Sequence, residues 1–527
     1  MVKQATTLYL ILLLAIVSFL GDATSLKAQE QGGLYTYTYT VKENGWIDIT
    51  TKFQSNTSGT SWVLVPKFRE YNLTVLSGEI LNISTDNNTK YYFYSNFSFS
   101  YLPNTTLEMS WSYRFGALIV EPNGAFFSTQ IGFCPEDDAE VIIKLPSQFV
   151  PSGVEPKGYK IEEEGEYSII RYELDGVLNN TLRVLISFKV EDGQPFLEKH
   201  EGKLVLKYPS RYEDLAENIT TLYRKILPEV MKYTAMKEEL PIRVKLFVPG
   251  SMEEITTLGY TGPRYTSDII TQGEINLNLM LVRMPQYELP NTFVHELLHQ
   301  YMQAAGLSVD LRWVHEGLAQ YLSAIIVEEA LGLKVPRDLT RDREVIAYTN
   351  GNFSFLVKWK GGGLPGDPGL YYAASEILMK KFAEEYGGPN VYAKFFSIVR
   401  GKRIKIGELS ELVRYLSEAA GKDVSEFFKS YGINVEEYDT RALTLVEAAE
   451  RYANTTLWFN PLSKEALRVL EGDKSREGAL KAISLIILGL LLEALTISLA
   501  ISFLYYTLSR KKITEGNGEA TSSEHPL

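Results

Sequence analysis

His295-Glu296-Leu297-Leu298-His299 is the segment of this chain whose residue types and spacing point most directly to chemistry. On a helix the two histidines stand one turn apart and project from the same face. That is the spacing two nitrogen ligands need to sit about 2 Å from one zinc ion. Glu296 falls roughly 100° round the same helix, at the edge of such an ion, where its carboxylate can take a proton from a water. Further on comes Trp313-Val314-His315-Glu316-Gly317-Leu318-Ala319, in which Glu316 supplies a third ligand. Three protein ligands leave a fourth position open, the pattern of a catalytic rather than a structural zinc. The competing reading is an amphipathic helix with two merely buried histidines, and the second half of the pattern counts against it. His315 neighbours a ligand but lacks the helical spacing to join the set.

Two antiparallel helices must position these residues. Pro290-Asn291 is a start signal with Asn291 as N-cap. Phe293, Val294, Leu297, Leu298, Tyr301 and Met302 follow at helical spacing, and Gly306 is a stop. The second helix opens near Trp313 and runs to about Gly332, with Leu318, Leu322, Ile325 and Ile326 turned inward. The short loop between them forces the helices side by side, so that Glu316 meets the histidine face.

His295-Glu296-Leu297-Leu298-His299-Gln300-Tyr301, with Trp313 to Tyr321, resembles the gluzincin metallopeptidases, in particular their aminopeptidase N-like branch. That branch reads HELxHQW, then WxNEGFA. Here sixteen residues rather than eighteen separate His299 from Glu316; Tyr301 stands for Trp, His315 for Asn and Leu318 for Phe. The resemblance spans roughly residues 205 to 385. It implies zinc as cofactor, Glu296 as general base, and a tyrosine that stabilises the oxyanion from the helix after the glutamate ligand. Tyr372 fits that position with Ser375 three residues on, and Tyr371 fits almost as well with Ala374. In gluzincins an edge strand at the position of Ile275-Leu277-Leu279 pairs with the substrate backbone, and the branch carries in this neighbourhood a GxMEN sequence whose Glu holds the substrate's amino group. Gly273-Glu274-Ile275-Asn276 is not that motif; Glu274 is the substitute it offers, against a plain solvent-facing carboxylate.

The chain of 527 residues has room for several domains, and its formal charge of −12 argues against nucleic acid as a partner. Its single cysteine, Cys134, excludes an internal disulfide and any cysteine-built metal site. Two apolar segments lie near the ends. Leu8 to Leu20 is short for a bilayer and, with Lys3 before it and small residues after, reads as a secretion signal over 1–28. The segment 482–508 is long enough to span, and Arg510, Lys511 and Lys512 behind it place the 509–527 tail in the cytoplasm. Ten N-x-S/T sequons lie between the two segments, at Asn56, Asn72, Asn82, Asn87, Asn96, Asn104, Asn179, Asn218, Asn352 and Asn454. They suit an extracellular glycoprotein. Glu493, near the middle of the span, marks either a partner helix or a tolerated protonated carboxyl.

The expected architecture is α+β and multidomain. Residues 31–203 read as a β-sandwich, from the alternation of Tyr35, Tyr37 and Tyr39, the Glu43-Asn44-Gly45 turn, and strands near Tyr91–Tyr94, Val141–Leu145, Ser168–Tyr172 and Leu182–Val190. Residues 204–388 form the thermolysin-like α/β zinc peptidase domain, 389–455 a helical module, 456–481 a stalk, and 482–508 the transmembrane helix. The Gly361–Gly369 loop lacks the ending of a phosphate loop, so nucleotide binding is unsupported. The sequence thus predicts a single-pass, surface-anchored zinc metallopeptidase acting on peptides or proteins. Its rivals are a non-catalytic surface receptor or adhesion protein on a peptidase-like fold, and a zinc hydrolase of a non-peptide substrate.

Overall fold

Tyr35, Tyr37, Tyr39 and Val41 alternate with polar residues and are buried, which makes Leu34–Val41 a strand with one apolar face. A computed structural model describes residues 32–516 apart from 92, 191–192, 267–268, 361–365, 436–439 and 473–475. The secretion signal, the first half of the glycine-rich loop and the tail beyond 516 lie outside the described residues. The protein is a mixed α+β chain with a strand-rich N-terminal part, a helical C-terminal part and one apolar C-terminal helix. It divides into two compact units: Met1–Arg224 with Leu240–Phe293, and Lys225–Glu239 with Val294–Leu527.

In the first unit, Leu34–Val41 is a central strand of a seven-stranded sheet. It pairs antiparallel with Ile47–Ser55 and parallel with Asp138–Pro146. Gly45 turns the hairpin at φ +84°, where a Cβ would meet the Ala117 carbonyl at 2.7 Å. One core joins this sheet to a four-stranded and a three-stranded one, through Tyr35, Phe53, Phe99, Phe126 and Phe188 among others. The aromatic strand expected at Tyr91–Tyr94 runs instead over Tyr94–Tyr101, because the inward alternation that buries Phe97, Phe99 and Tyr101 begins at Ser95. The run Leu182–Val190 divides into Thr181–Leu182 and Leu185–Val190, which pair with different partners. Cys134 is a free, buried thiol that donates to Glu136 at 2.7 Å, and burial pushes its pKa up to about 12.

A separate five-stranded sheet follows, in the order Phe196–Glu201, Leu204–Pro209, Ile242–Phe247, Ile269–Asn278, Gly259–Thr266. Its three middle strands are parallel. Helix α1 (Glu213–Tyr233) makes the crossover between the first two of those. The strand containing Ile275 and Leu277, expected at an edge, is interior. It lies between Ile242–Phe247 and Gly259–Thr266, so the open edge on that side belongs to Gly259–Thr266.

Helix α2 (Glu288–Ala304) begins three residues before Asn291, which therefore lies inside the first turn and is not its N-cap. Pro290 is accommodated there because first-turn residues need no intrahelical N–H donor. The second unit continues with α3 (Arg312–Leu331), α4 (Leu339–Thr349), α5 (Pro368–Glu385), α6 (Asn390–Lys402), α7 (Leu409–Ala420) and α8 (Ser425–Ser430). After these come α9 (Thr440–Thr456), α10 (Ser463–Gly472) and α11 (Arg476–Gly516). Residues 456–481, expected as a stalk, include α10, and Ala466 and Leu470 share a small core with Ala449, Ala453, Ala479 and Ala482. Among the described residues, α11 alone is long and apolar enough to cross a membrane. It runs on to Gly516, so the start of the 509–527 tail continues the helix.

Candidate metal centre

Leu297, Leu298, Tyr301 and Met302 are fully buried along α2, and this fixes the helix's rotation. Ala304 ends it, and Gly306, at φ +108°, reverses the chain. Backbone bonds between Gly306 and Ile406 (2.7 Å) and between Ser308 and Ile406 (2.8 Å) tie the connection down. Helix α3 then opens at Arg312 and stops at Gly332, left-handed at φ +67°. Trp313, Val314, Leu318, Leu322 and Ile326 are buried on α3. Ile325, expected beside them, is only partly buried.

The two helices bring His295, His299 and Glu316 together. His295 Nε2 lies 3.2 Å from Glu316 Oε2, and His299 Nε2 lies 3.4 Å from the same oxygen and 3.1 Å from His295 Nε2. Tetrahedral ligands about 2.0–2.1 Å from a common zinc stand roughly 3.3 Å apart. The three donor atoms therefore fit one zinc ion without rearrangement. Only 2% of the Glu316 side chain is exposed. Burial alone would raise its pKa, but His299 and His295 outweigh burial and hold the carboxyl well below the usual range. His295 is disfavoured as a cation by burial, yet the Glu316 carboxylate raises its pKa overall.

The neighbouring groups are arranged asymmetrically. Glu296, next to His295 on α2, is buried at 5% exposure. Its charge acts on both His295 and Tyr372. His315 is held out of the triad: its Nε2 lies 3.1 Å from the Leu307 carbonyl and its ring stacks on His299 at 5.7 Å. Burial, reinforced by His299, lowers its pKa to about 3, so the ring is neutral. The second ring nitrogens of His299 and His315 have no hydrogen-bond partner among the described residues.

Helix α5 carries both tyrosines, in different surroundings. Tyr371 is buried among Phe355 and Trp359, with ring centroids 5.0 and 5.6 Å away. Tyr372 is less enclosed, packs edge-on to Trp359 at 5.2 Å and lies within the electrostatic reach of Arg312. Burial and the Glu316 charge push its pKa up to about 12. Gly317 permits this approach, since a Cβ there would meet the Ser375 carbonyl oxygen at 2.5 Å. Glu274 belongs to the first unit and pairs with Lys245 at 3.0 Å.

Sequence reasoning missed two residues. Arg312 Nε forms an ion pair with Glu316 Oε1 at 2.9 Å, so the oxygen turned away from the histidines is also held. Its signal was the i, i+4 spacing to Glu316. Glu376, one turn after Tyr372 on α5, is a carboxyl whose pKa burial raises, within the electrostatic reach of His295.

No family model matches the chain, and no curated protein matches it in sequence. Among solved structures it is similar to an aminopeptidase N family protein from Idiomarina loihiensis, at 12% identity over 80% of this chain and 78% of that one, with a TM-score of 0.33. A superposition that loose carries no assignment of activity.

Proposed function

We propose that the chain is a membrane-anchored zinc metallopeptidase of gluzincin type, with its catalytic part outside the cell. The observation that carries this reading is the triangle of His295, His299 and Glu316 donor atoms, with edges of 3.1, 3.2 and 3.4 Å. A structural zinc would take a fourth protein ligand; among the described residues no other His, Cys, Asp or Glu joins the cluster. Zinc bound there supplies a Lewis acid that acidifies water and polarises a carbonyl.

The chain's own residues supply the rest. The Glu296 carboxylate takes a proton from the attacking water and delivers it to the leaving amine. Tyr372, a protonated phenol at neutral pH, donates its hydroxyl to the developing oxyanion. Arg312 holds the orientation of Glu316 through the ion pair with its second oxygen. Glu274 is paired with Lys245 at 3.0 Å, so to anchor a substrate's amino terminus it must leave that partner. With no GxMEN sequence either, the enzyme should tolerate blocked amino termini.

Residues 204–388 are read as the thermolysin-like domain and 31–203 as an accessory β-domain. Helix α11 is read as the anchor, with Leu491, Phe503 and Leu504 exposed along it as lipid contact requires. Nine of the ten sequon asparagines are exposed and Asn96 is partly buried, which suits glycosylation of the outer face.

Zinc content and hydrolysis of a peptide library, measured on one purified sample, test the reading. About one zinc per chain, lost in His299→Ala, together with peptide cleavage is the expected result. Stoichiometric zinc retained in His299→Ala would contradict the ligand set, and zinc without peptide cleavage would favour a different hydrolase.

A further inference from the structure

Three arginines from distant parts of the first unit converge on one cavity. Arg69 lies after the strand Gly59–Pro66, Arg183 lies between Thr181–Leu182 and Leu185–Val190, and Arg283 ends the turn Leu279–Arg283. The cavity measures about 560 Å³, and all three line it. Tyr113 is the hub. The Arg69 guanidinium stands 4.4 Å from its ring centroid and that of Arg283 5.3 Å, while Arg283 also donates to the Tyr113 hydroxyl at 2.7 Å.

Among the described residues the cavity has no counter-charge. No aspartate or glutamate lines it, and among the described residues no carboxylate lies within ion-pair distance of any of the three. Burial first, and then Arg283's charge, lower the pKa of both Arg69 and Arg183. Stacking on aromatic rings offsets part of the repulsion between such groups but does not neutralise them. This is a positive focus on a chain whose formal charge is −12, so it is not a by-product of composition.

Trp111 lines the same cavity, is 9% exposed, and its indole N–H has no hydrogen-bond partner among the described residues. The remaining walls include Phe68, Phe93 and Tyr94, so the site offers flat apolar surface beside its cationic donors.

We propose that this cavity is a binding site for a small organic anion. The anion's oxygens, of phosphate or carboxylate type, are held by Arg69, Arg183 and Arg283, and its apolar or aromatic body lies against Trp111 and the tyrosines. Planar guanidinium forks match such oxyanions, and the volume suits a small ligand. The inference stands independently of the peptidase reading, because every group belongs to the first unit and none to the zinc triad.

Calorimetric titration of the detergent-solubilised full chain tests it, with phenyl phosphate, benzoate, inorganic phosphate and uncharged phenol at ionic strength held constant with chloride. Saturable binding is expected for phenyl phosphate, weaker binding for inorganic phosphate, and none for phenol. Benzoate against phenyl phosphate distinguishes the two oxyanion classes. Arg69→Gln with Arg183→Gln, neither of which removes a hydrogen bond seen in the structure, should weaken phenyl phosphate at least tenfold while zinc content stays unchanged. If the double variant fails to fold, as judged by circular dichroism, Arg183→Gln alone must still weaken binding. Absence of saturable binding by any of the anions, or equal affinity in the folded arginine variants, would overturn the site.

Discussion

Gly317→Ala should damage the metal centre without touching a ligand. Gly317 follows Glu316 on α3, and an added Cβ would lie 2.5 Å from the Ser375 carbonyl oxygen, 2.8 Å from its carbon and 2.9 Å from Met379 Cγ. Ordinary contact begins near 3.4 Å, so α3 and α5 must separate by close to 1 Å at this point. The nearest obstacle is backbone in the middle of a helix, which has no rotamer to change. Overpacking of this kind costs about 1–3 kcal/mol, against a gain of about 1 kcal/mol from replacing glycine in a helix. The displacement falls between Glu316 on one helix and Tyr372 on the other, and a shift of about 1 Å in a reacting constellation costs on the order of 10²-fold in rate. Competition with a chelating indicator should show zinc affinity at least tenfold weaker, and the melting temperature should fall. Gly401→Ala is the control: Gly401 lies within α6, its Cβ would meet nothing within 4 Å, and the change should be neutral or stabilising. Wild-type zinc affinity and stability in Gly317→Ala would refute this close α3–α5 packing.

Tyr372→Phe should lower kcat more than KM, whereas Tyr371→Phe, which alters an aromatic cluster, should chiefly lower stability. Greater kinetic damage from Tyr371→Phe would reverse the assignment. Asp137 is buried, and burial raises its pKa from 3.8 to about 6, with Ser61 and the Gly33 N–H opposing. Since the native state binds this proton more tightly than the unfolded chain, the group's contribution is favourable below pH 3.8 and lost as pH rises towards 6. Asp137→Asn should therefore gain about 3 kcal/mol relative to wild type between pH 3.5 and 7, measured by denaturant titration; a pH-independent difference would contradict the buried carboxyl's role. Protease added to intact cells should remove the ectodomain and spare the tail after Lys511, and a tail cut from outside would contradict the topology.

What the sequence disclosed follows the range of the forces involved. His295, Glu296 and His299 were legible because positions i, i+1 and i+4 of one helix encode their own geometry. Glu316 was legible because a short connection confines α3 beside α2. Asn291 was misplaced as a cap because Pro290 suits a first turn as well as a position before one. The interior position of Ile269–Asn278 was not legible, since Gly259–Thr266 covers its flank through pairing that alternation cannot reveal. The choice between Tyr371 and Tyr372 depends on how α5 lies against α3, which Gly317 decides from another helix. Arg312 had a readable spacing to Glu316, but a search for ligands overlooks the residue that holds one in place. The cluster of Arg69, Arg183 and Arg283 is wholly non-local and had no signal in the sequence.

Glu296→Gln separates the general base from the metal ligands. The substitution preserves volume at a buried position beside the triad and removes the basicity, while His295, His299 and Glu316 remain. Zinc should stay near one per chain by elemental analysis. Peptide hydrolysis should fall by about 10²–10⁴-fold, the usual contribution of a positioned general base, for substrates with free and with blocked amino termini alike. Undiminished hydrolysis with zinc in place would contradict the metallopeptidase mechanism.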